Sequence, residues 1–193
     1  MYLAKILAYI SIIIWLLPPF RQLKGGYFLY FLILGYSDPL ALIFLRFFKL
    51  DINYTHLIIA FLLTISILYY TKNLNSKWII SLILFLILSI WKGNRDIRYL
   101  SIIIFNCLIF AQILIPSIKE FYQGHRINIY FTVLLIYELT TILKYTAFAY
   151  NYFSGVYLFY LSLVFEMFIG LFFIFFNLHN SPHIKLPFRM ADY

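Results

Sequence analysis

The sequence predicts an all-α, polytopic membrane bundle of about seven transmembrane helices, and three observations predict it. Apolar residues fill 64% of the 193 positions and charged residues only 11%, against roughly 45–50% and about 25% in soluble domains. Fifteen basic and seven acidic side chains cannot cover the surface of a water-soluble protein of this length, whereas 22 Phe and 18 Tyr suit a lipid-facing surface and its interfacial belts. The apolar residues also fall into long runs, most of them near the ~20 residues that a helix needs to cross hydrocarbon.

Seven such runs are marked off by charged or Gly/Pro-containing breaks: 2–19, 27–48, 56–71, 77–91, 99–118, 128–149 and 152–176. Within the first, 6–17 has the length of a signal-peptide apolar region. Pro18-Pro19-Phe20-Arg21 stands where a small-residue cleavage site belongs, so the segment is read as a retained helix. The fourth run is the shortest. Trp78 and Trp91 frame it as an aromatic belt would, one at each interface, which keeps it a crossing. Residues 1–176 thus form one transmembrane domain, and 177–193 a basic tail suited to anionic headgroups.

The net charge is +8, yet Lys and Arg are scattered singly between apolar runs and form no nucleic-acid-binding stripe. They serve orientation instead. With the C-terminus cytoplasmic, inside segments carry Arg21, Lys24, Lys72, Lys77, Lys119, Arg126, Lys185 and Arg189, and outside segments carry Arg46, Lys49, Lys92, Arg95 and Arg98. The bias favours an N-out, C-in protein of a bacterial inner membrane. The single cysteine, Cys107, sits inside an apolar run and is expected to be a small core residue.

The chain also hints at duplication. Leu17-Pro18-Pro19-Phe20-Arg21 leads to Gly25-Gly26-Tyr27-Phe28 and then Asp38. Ile115-Pro116-Ser117-Ile118-Lys119 leads to Gly124, Tyr130-Phe131 and then Glu138. Helices 1–3 and 5–7 would then be two like-oriented halves joined by helix 4. Three helices, a linker and three more, with proline and a basic loop closing helices 1 and 5, resemble the PQ-loop carriers of sugars and amino acids. That resemblance implies a 3+1+3 parallel repeat and transport of a small solute. The chain departs from the family in that no Gln follows either proline, and the sixth helix has no proline to match Pro39. In texture it is also similar to small seven-helix bacterial membrane proteins, a likeness that implies no activity.

Ionisable groups at mid-depth carry the functional signal, since each costs about 2.5–3.5 kcal/mol in hydrocarbon and such groups usually face the bundle interior. Asp38, Glu138, Glu166 and Lys144 qualify. Asp38 precedes Pro39, which removes a backbone donor and is expected to act as a hinge; the carboxylate either lines a cavity or caps a half-helix. Glu138, Thr141 and Tyr145 share one helix face by spacing. Lys144 points away from Glu138 and is expected to snorkel to the interface or to pair with another helix. Gly155, Phe159, Ser162, Glu166 and Gly170 make a narrow small-and-polar face on the last helix, of the kind that neighbouring helices approach closely. Gln112 on the fifth helix is added as a candidate ligand- or proton-binding residue.

Other chemistry is not indicated. His56, His125, His179 and His183 fall in predicted loops or the tail, and Pro182 argues against a helical metal pair at His179 and His183. No phosphate loop, nucleophile elbow or catalytic triad pattern is found, so neither a cofactor nor enzymatic activity is expected. Three functions are open: a small-solute carrier or binding bundle, possibly proton-linked through the acids; a non-catalytic subunit or assembly factor of a larger membrane complex; and an intramembrane enzyme that acts on lipid through two carboxylates. The expected partners are the lipid bilayer, a small solute and other membrane subunits.

Overall fold

Runs of Leu, Ile and Phe form helices here because each segment must satisfy its own backbone N–H and C=O groups away from water. The computed structural model describes residues 2–23, 25–49, 51–91, 94–150 and 156–185. Along these the elements are α1 (Tyr2–Leu16), the one-turn α2 (Pro18–Arg21), α3 (Phe28–Phe48), α4 (Ile52–Tyr70), α5 (Ser76–Trp91), α6 (Arg95–Gly124), β1 (Arg126–Asn128), α7 (Ile129–Tyr150), α8 (Val156–Phe175) and β2 (His183–Lys185). Among the described residues, α3, α4, α6 and α7 are long and apolar enough to cross a membrane. The apolar stretches 6–21, Ser76–Trp91 and Tyr160–Phe175 are shorter.

Several boundaries differ from the sequence reading, each for a local reason. The helix expected to begin at 56 starts at Ile52, because the Asp51 side chain accepts the Asn53 N–H at 3.1 Å and caps it. This puts His56 inside α4 and not in a loop. The helix expected to end near Pro116 runs through it to Gly124, where His125 adopts a left-handed conformation (φ 45°) and stops it. Arg98, counted above with the loops, is a buried residue of α6. Its Nη2 lies 3.1 Å from Asp51 Oδ2 and its guanidinium 4.3 Å from the Tyr54 ring centroid, so it ties the starts of α4 and α6 together. Cys107 is exposed on the outside of α6 and is not a core residue; its neighbour Asn106 takes the inward-facing position.

The long helices pack as a ring in the order α1, α3, α4, α6, α7, α8 and back to α1, with α5 outside against α4 and α6. Two glycines set how close α1 comes. A Cβ on Gly35 would lie 2.5 Å from the Trp15 carbonyl oxygen, and one on Gly170 would lie 2.8 Å from Ile14 Cγ2 and 3.3 Å from the Trp15 ring. Small residues therefore seat α1 directly on α3 and α8. Gly155 lies outside the described residues, as does the side chain of Phe159, while Ser162 is buried.

The exterior is apolar. Phe47, Trp91, Leu161 and Phe168 are each more than 60% exposed, with many Leu and Ile residues around them. So broad an apolar surface marks a lipid- or protein-facing exterior, and with the four long apolar helices it fits a membrane-embedded protein.

The two ends of the ring differ. At the end where α7 begins and α8 finishes, Tyr27, Tyr30, Phe31, Tyr130, Phe131 and Phe173 are all buried against one another. Phe31 and Phe173 have ring centroids 4.7 Å apart, and Tyr130 and Phe173 5.3 Å. The fully buried Gln22 locks this plug: its Nε2 donates to the Phe176 carbonyl at 2.9 Å, and Tyr130 Oη donates to its Oε1 at 3.3 Å. Part of the basic tail closes the same end, since His183–Lys185 pairs antiparallel with Arg126–Asn128. Glu120 holds that pairing through His183 Nε2 at 3.1 Å and Asn128 Nδ2 at 3.1 Å. The remainder of the tail, 186–193, lies outside the described residues.

Candidate functional site

Above the aromatic plug the helices part around a hollow of about 80 Å³, lined among others by Trp15, Asp38, His56, Asn106, Lys144 and Glu166. A water needs about 10–15 Å³ of such space, so the room suffices for a handful of waters or a solute of a few heavy atoms. Six elements build it. Trp15 comes from α1, Ser37 and Asp38 from α3, His56 from α4, Asn106 from α6, Tyr137, Thr141, Lys144 and Tyr145 from α7, and Glu166 from α8. The hollow lies towards the end where α4 and α6 begin and α7 finishes, as the contact of Tyr145 Oη with His56 Nδ1 at 2.6 Å requires.

Five of the residues singled out in the sequence, Asp38, Thr141, Lys144, Tyr145 and Glu166, line this one hollow. Lys144 does not snorkel. Its Nζ donates to Glu166 Oε1 at 2.9 Å, with the two side chains 23% and 14% exposed. In a bilayer an ion pair is the cheaper solution when a carboxylate on the next helix is within reach of the lysine. Asp38 remains exposed on the α3 wall, so the hollow is not closed over there. α3 continues as one helix through Pro39, with Ser37 Oγ donating to the Leu34 carbonyl at 2.6 Å.

Two candidates lie elsewhere. Glu138 is fully buried among apolar side chains, Oε1 accepting a hydrogen bond from Tyr30 Oη and Oε2 without a partner among the described residues. Helical side chains lean towards their N-terminus, so Glu138 tips out of the hollow into the aromatic layer although Thr141, one turn on, faces the hollow. Gln112 is at the closed end, where its Oε1 accepts from Asn73 Nδ2 at 2.7 Å and Thr71 Oγ1 at 3.2 Å. It sits about 9 Å along α6 from Asn106, too far to share the hollow.

Sequence reasoning passed over Trp15, Ser37, His56, Asn106 and Tyr137 as lining residues. His56 was legible only through the Asp51 cap that places it in a helix. The others are ordinary helix residues that ring closure alone turns inward.

The fold and the site together define a helical bundle of membrane-embedded character with a charged hollow in its interior. No family model, curated protein or solved structure matches the chain.

Proposed function

We propose that the protein is a small-solute carrier or binding bundle that crosses the membrane seven times, with the hollow as its solute site and the aromatic plug as its closed gate. The observation that carries this reading is the contrast within one ring: a charged, water-sized space among Asp38, Lys144 and Glu166, and fully buried rings packed beside Gln22. A packed structural subunit has no need of an open polar hollow, whereas a carrier caught with one gate shut requires one.

A 3+1+3 repeat is part of the proposal. Moving three places round the ring exchanges α1 with α6, α3 with α7 and α4 with α8, and leaves α5 outside as the linker. In support, Tyr30-Phe31 and Leu34 on α3 and Tyr130-Phe131 and Leu134 on α7 are all buried, with Asp38 and Glu138 each four residues after the leucine. This register pairs Tyr130-Phe131 with Tyr30-Phe31 and not with Tyr27-Phe28. The halves then differ in use: Asp38 faces the hollow, and Glu138 is sealed by Tyr30.

Proteoliposomes with an entrapped pH-sensitive dye test the reading. A panel of small amines, amino acids and sugars is expected to include a solute whose uptake the wild type supports and Asp38→Asn abolishes. Proton-coupled uptake that survives both Asp38→Asn and Glu138→Gln removes these two acids from the coupling.

A further inference from the structure

The hydrogen bonds around the hollow determine what it can recognise. Ser37 Oγ donates to the Leu34 carbonyl at 2.6 Å, Thr141 Oγ1 to the Tyr137 carbonyl at 3.0 Å and Asn106 Nδ2 to the Ile102 carbonyl at 2.7 Å. Each group commits a donor to its own helix. The two hydroxyls are left with lone pairs to offer, and Asn106 with its carbonyl oxygen and one N–H. The Lys144 ammonium is held by Glu166, and His56 Nδ1 is engaged by Tyr145 Oη. Asp38 has no ion-pair partner among the described residues, so carboxylates outnumber ammonium groups in the hollow. The remaining walls include the rings of Trp15, Tyr137 and Tyr145, the first two with centroids 5.1 Å apart and tilted by 50°.

Acceptors, a surplus carboxylate and aromatic faces suit a cation that carries its own N–H donors. An anion finds no uncommitted ammonium there. We propose that the hollow binds a small ammonium cation, ammonium itself or a short alkylammonium, between Asp38 and the aromatic walls. Lys144 on Glu166 is the protein's own version of the same contact, a tethered ammonium on a carboxylate of the hollow, and it competes with the ligand for the acceptors. The inference rests on the reading of the hollow as a ligand site but requires no transport.

The test uses the full chain in detergent micelles. The thermal unfolding midpoint is followed while methylammonium chloride replaces sodium chloride at constant ionic strength, with tetramethylammonium chloride and sodium acetate as comparisons. Methylammonium is expected to raise the midpoint saturably, and tetramethylammonium, which has no N–H, to do so more weakly. Asp38→Asn is expected to weaken binding about tenfold or more, the worth of one charge-assisted hydrogen bond. Lys144→Met is expected to tighten it by a similar factor because the competitor is gone. Because Lys144→Met also vacates Glu166, the double variant Lys144→Met/Glu166→Leu is measured beside it. A gain that persists there is competition lifted from Asp38; a gain lost there is mere filling of the vacated carboxylate and overturns the inference. If the wild type is silent and the double variant Lys144→Met/Glu166→Leu responds, the competition is confirmed. The inference is overturned if neither responds, if acetate and not methylammonium gives the shift, if Asp38→Asn binds as the wild type does, or if Lys144→Met loses the response. A variant-sensitive shift without uptake in proteoliposomes leaves the cation site standing and removes the carrier reading. Uptake of some other solute without a shift does the reverse.

Discussion

Glu166→Leu is expected to unfold more readily than the wild type by about 3 kcal/mol, the lower end of the range for breaking a buried ion pair. The lower end applies because Lys144 and Glu166 keep 23% and 14% of their side-chain surface exposed. The loss comes less from the missing attraction than from the largely buried ammonium left without its carboxylate. The double variant Lys144→Met/Glu166→Leu removes both charges and is expected to recover most of the deficit. Denaturation in mixed micelles reads both. A Glu166→Leu variant as stable as the wild type means that the pair does not hold α7 to α8.

The second large effect belongs to the acid that the hollow does not use. Tyr30→Phe leaves the fully buried Glu138 carboxyl with no hydrogen-bond partner, and Glu138→Leu leaves the Tyr30 hydroxyl without one. Each single change costs roughly 1–3 kcal/mol, the penalty of a buried polar group left unpaired. The double change leaves two apolar groups in contact. Its cost is expected to fall short of the sum by roughly 1–2 kcal/mol, towards the upper end of couplings measured between membrane helices. Additive costs in the same denaturation assay would show that the contact between α3 and α7 carries no energy of its own. Glu138→Arg, with no carboxylate in the aromatic layer among the described residues to pair with, is expected to be worse than either single change.

Much of the fold was legible because the bilayer reduces folding to a pattern of runs. Every apolar segment read from the sequence is helical among the described residues, the short 77–91 segment as Ser76–Trp91, which is shorter than the four helices long enough to cross a membrane. The misplaced boundaries fell where a single side chain decides the matter: Asp51 moved the start of α4, and a left-handed His125, not Pro116, ended α6. The β1–β2 pairing gave no signal, because three-residue strands have no periodicity to detect.

The site was half legible for a different reason. Spacing along one helix shows which residues share a face, and Thr141 with Tyr145 followed from it. It does not show at what depth a neighbouring helix offers a partner. Glu138 belongs by spacing to the same face but was claimed by Tyr30 from α3, and Lys144 was claimed by Glu166 from α8. Gln22, which locks the plug, could not be recognised, since its worth depends on carbonyls more than 150 residues away in the chain.

Thiol labelling tests the contrast between hollow and plug most directly. In a background with Cys107→Ser, single cysteines replace Thr141 in the hollow and Phe173 in the plug, and a small charged methanethiosulfonate is applied to either side of the membrane. The structure predicts that Thr141→Cys reacts from one side only and that Phe173→Cys reacts from neither. Phe173→Cys reacting as fast as Thr141→Cys, or Thr141→Cys inert from both sides, would contradict a water-filled hollow closed at one end.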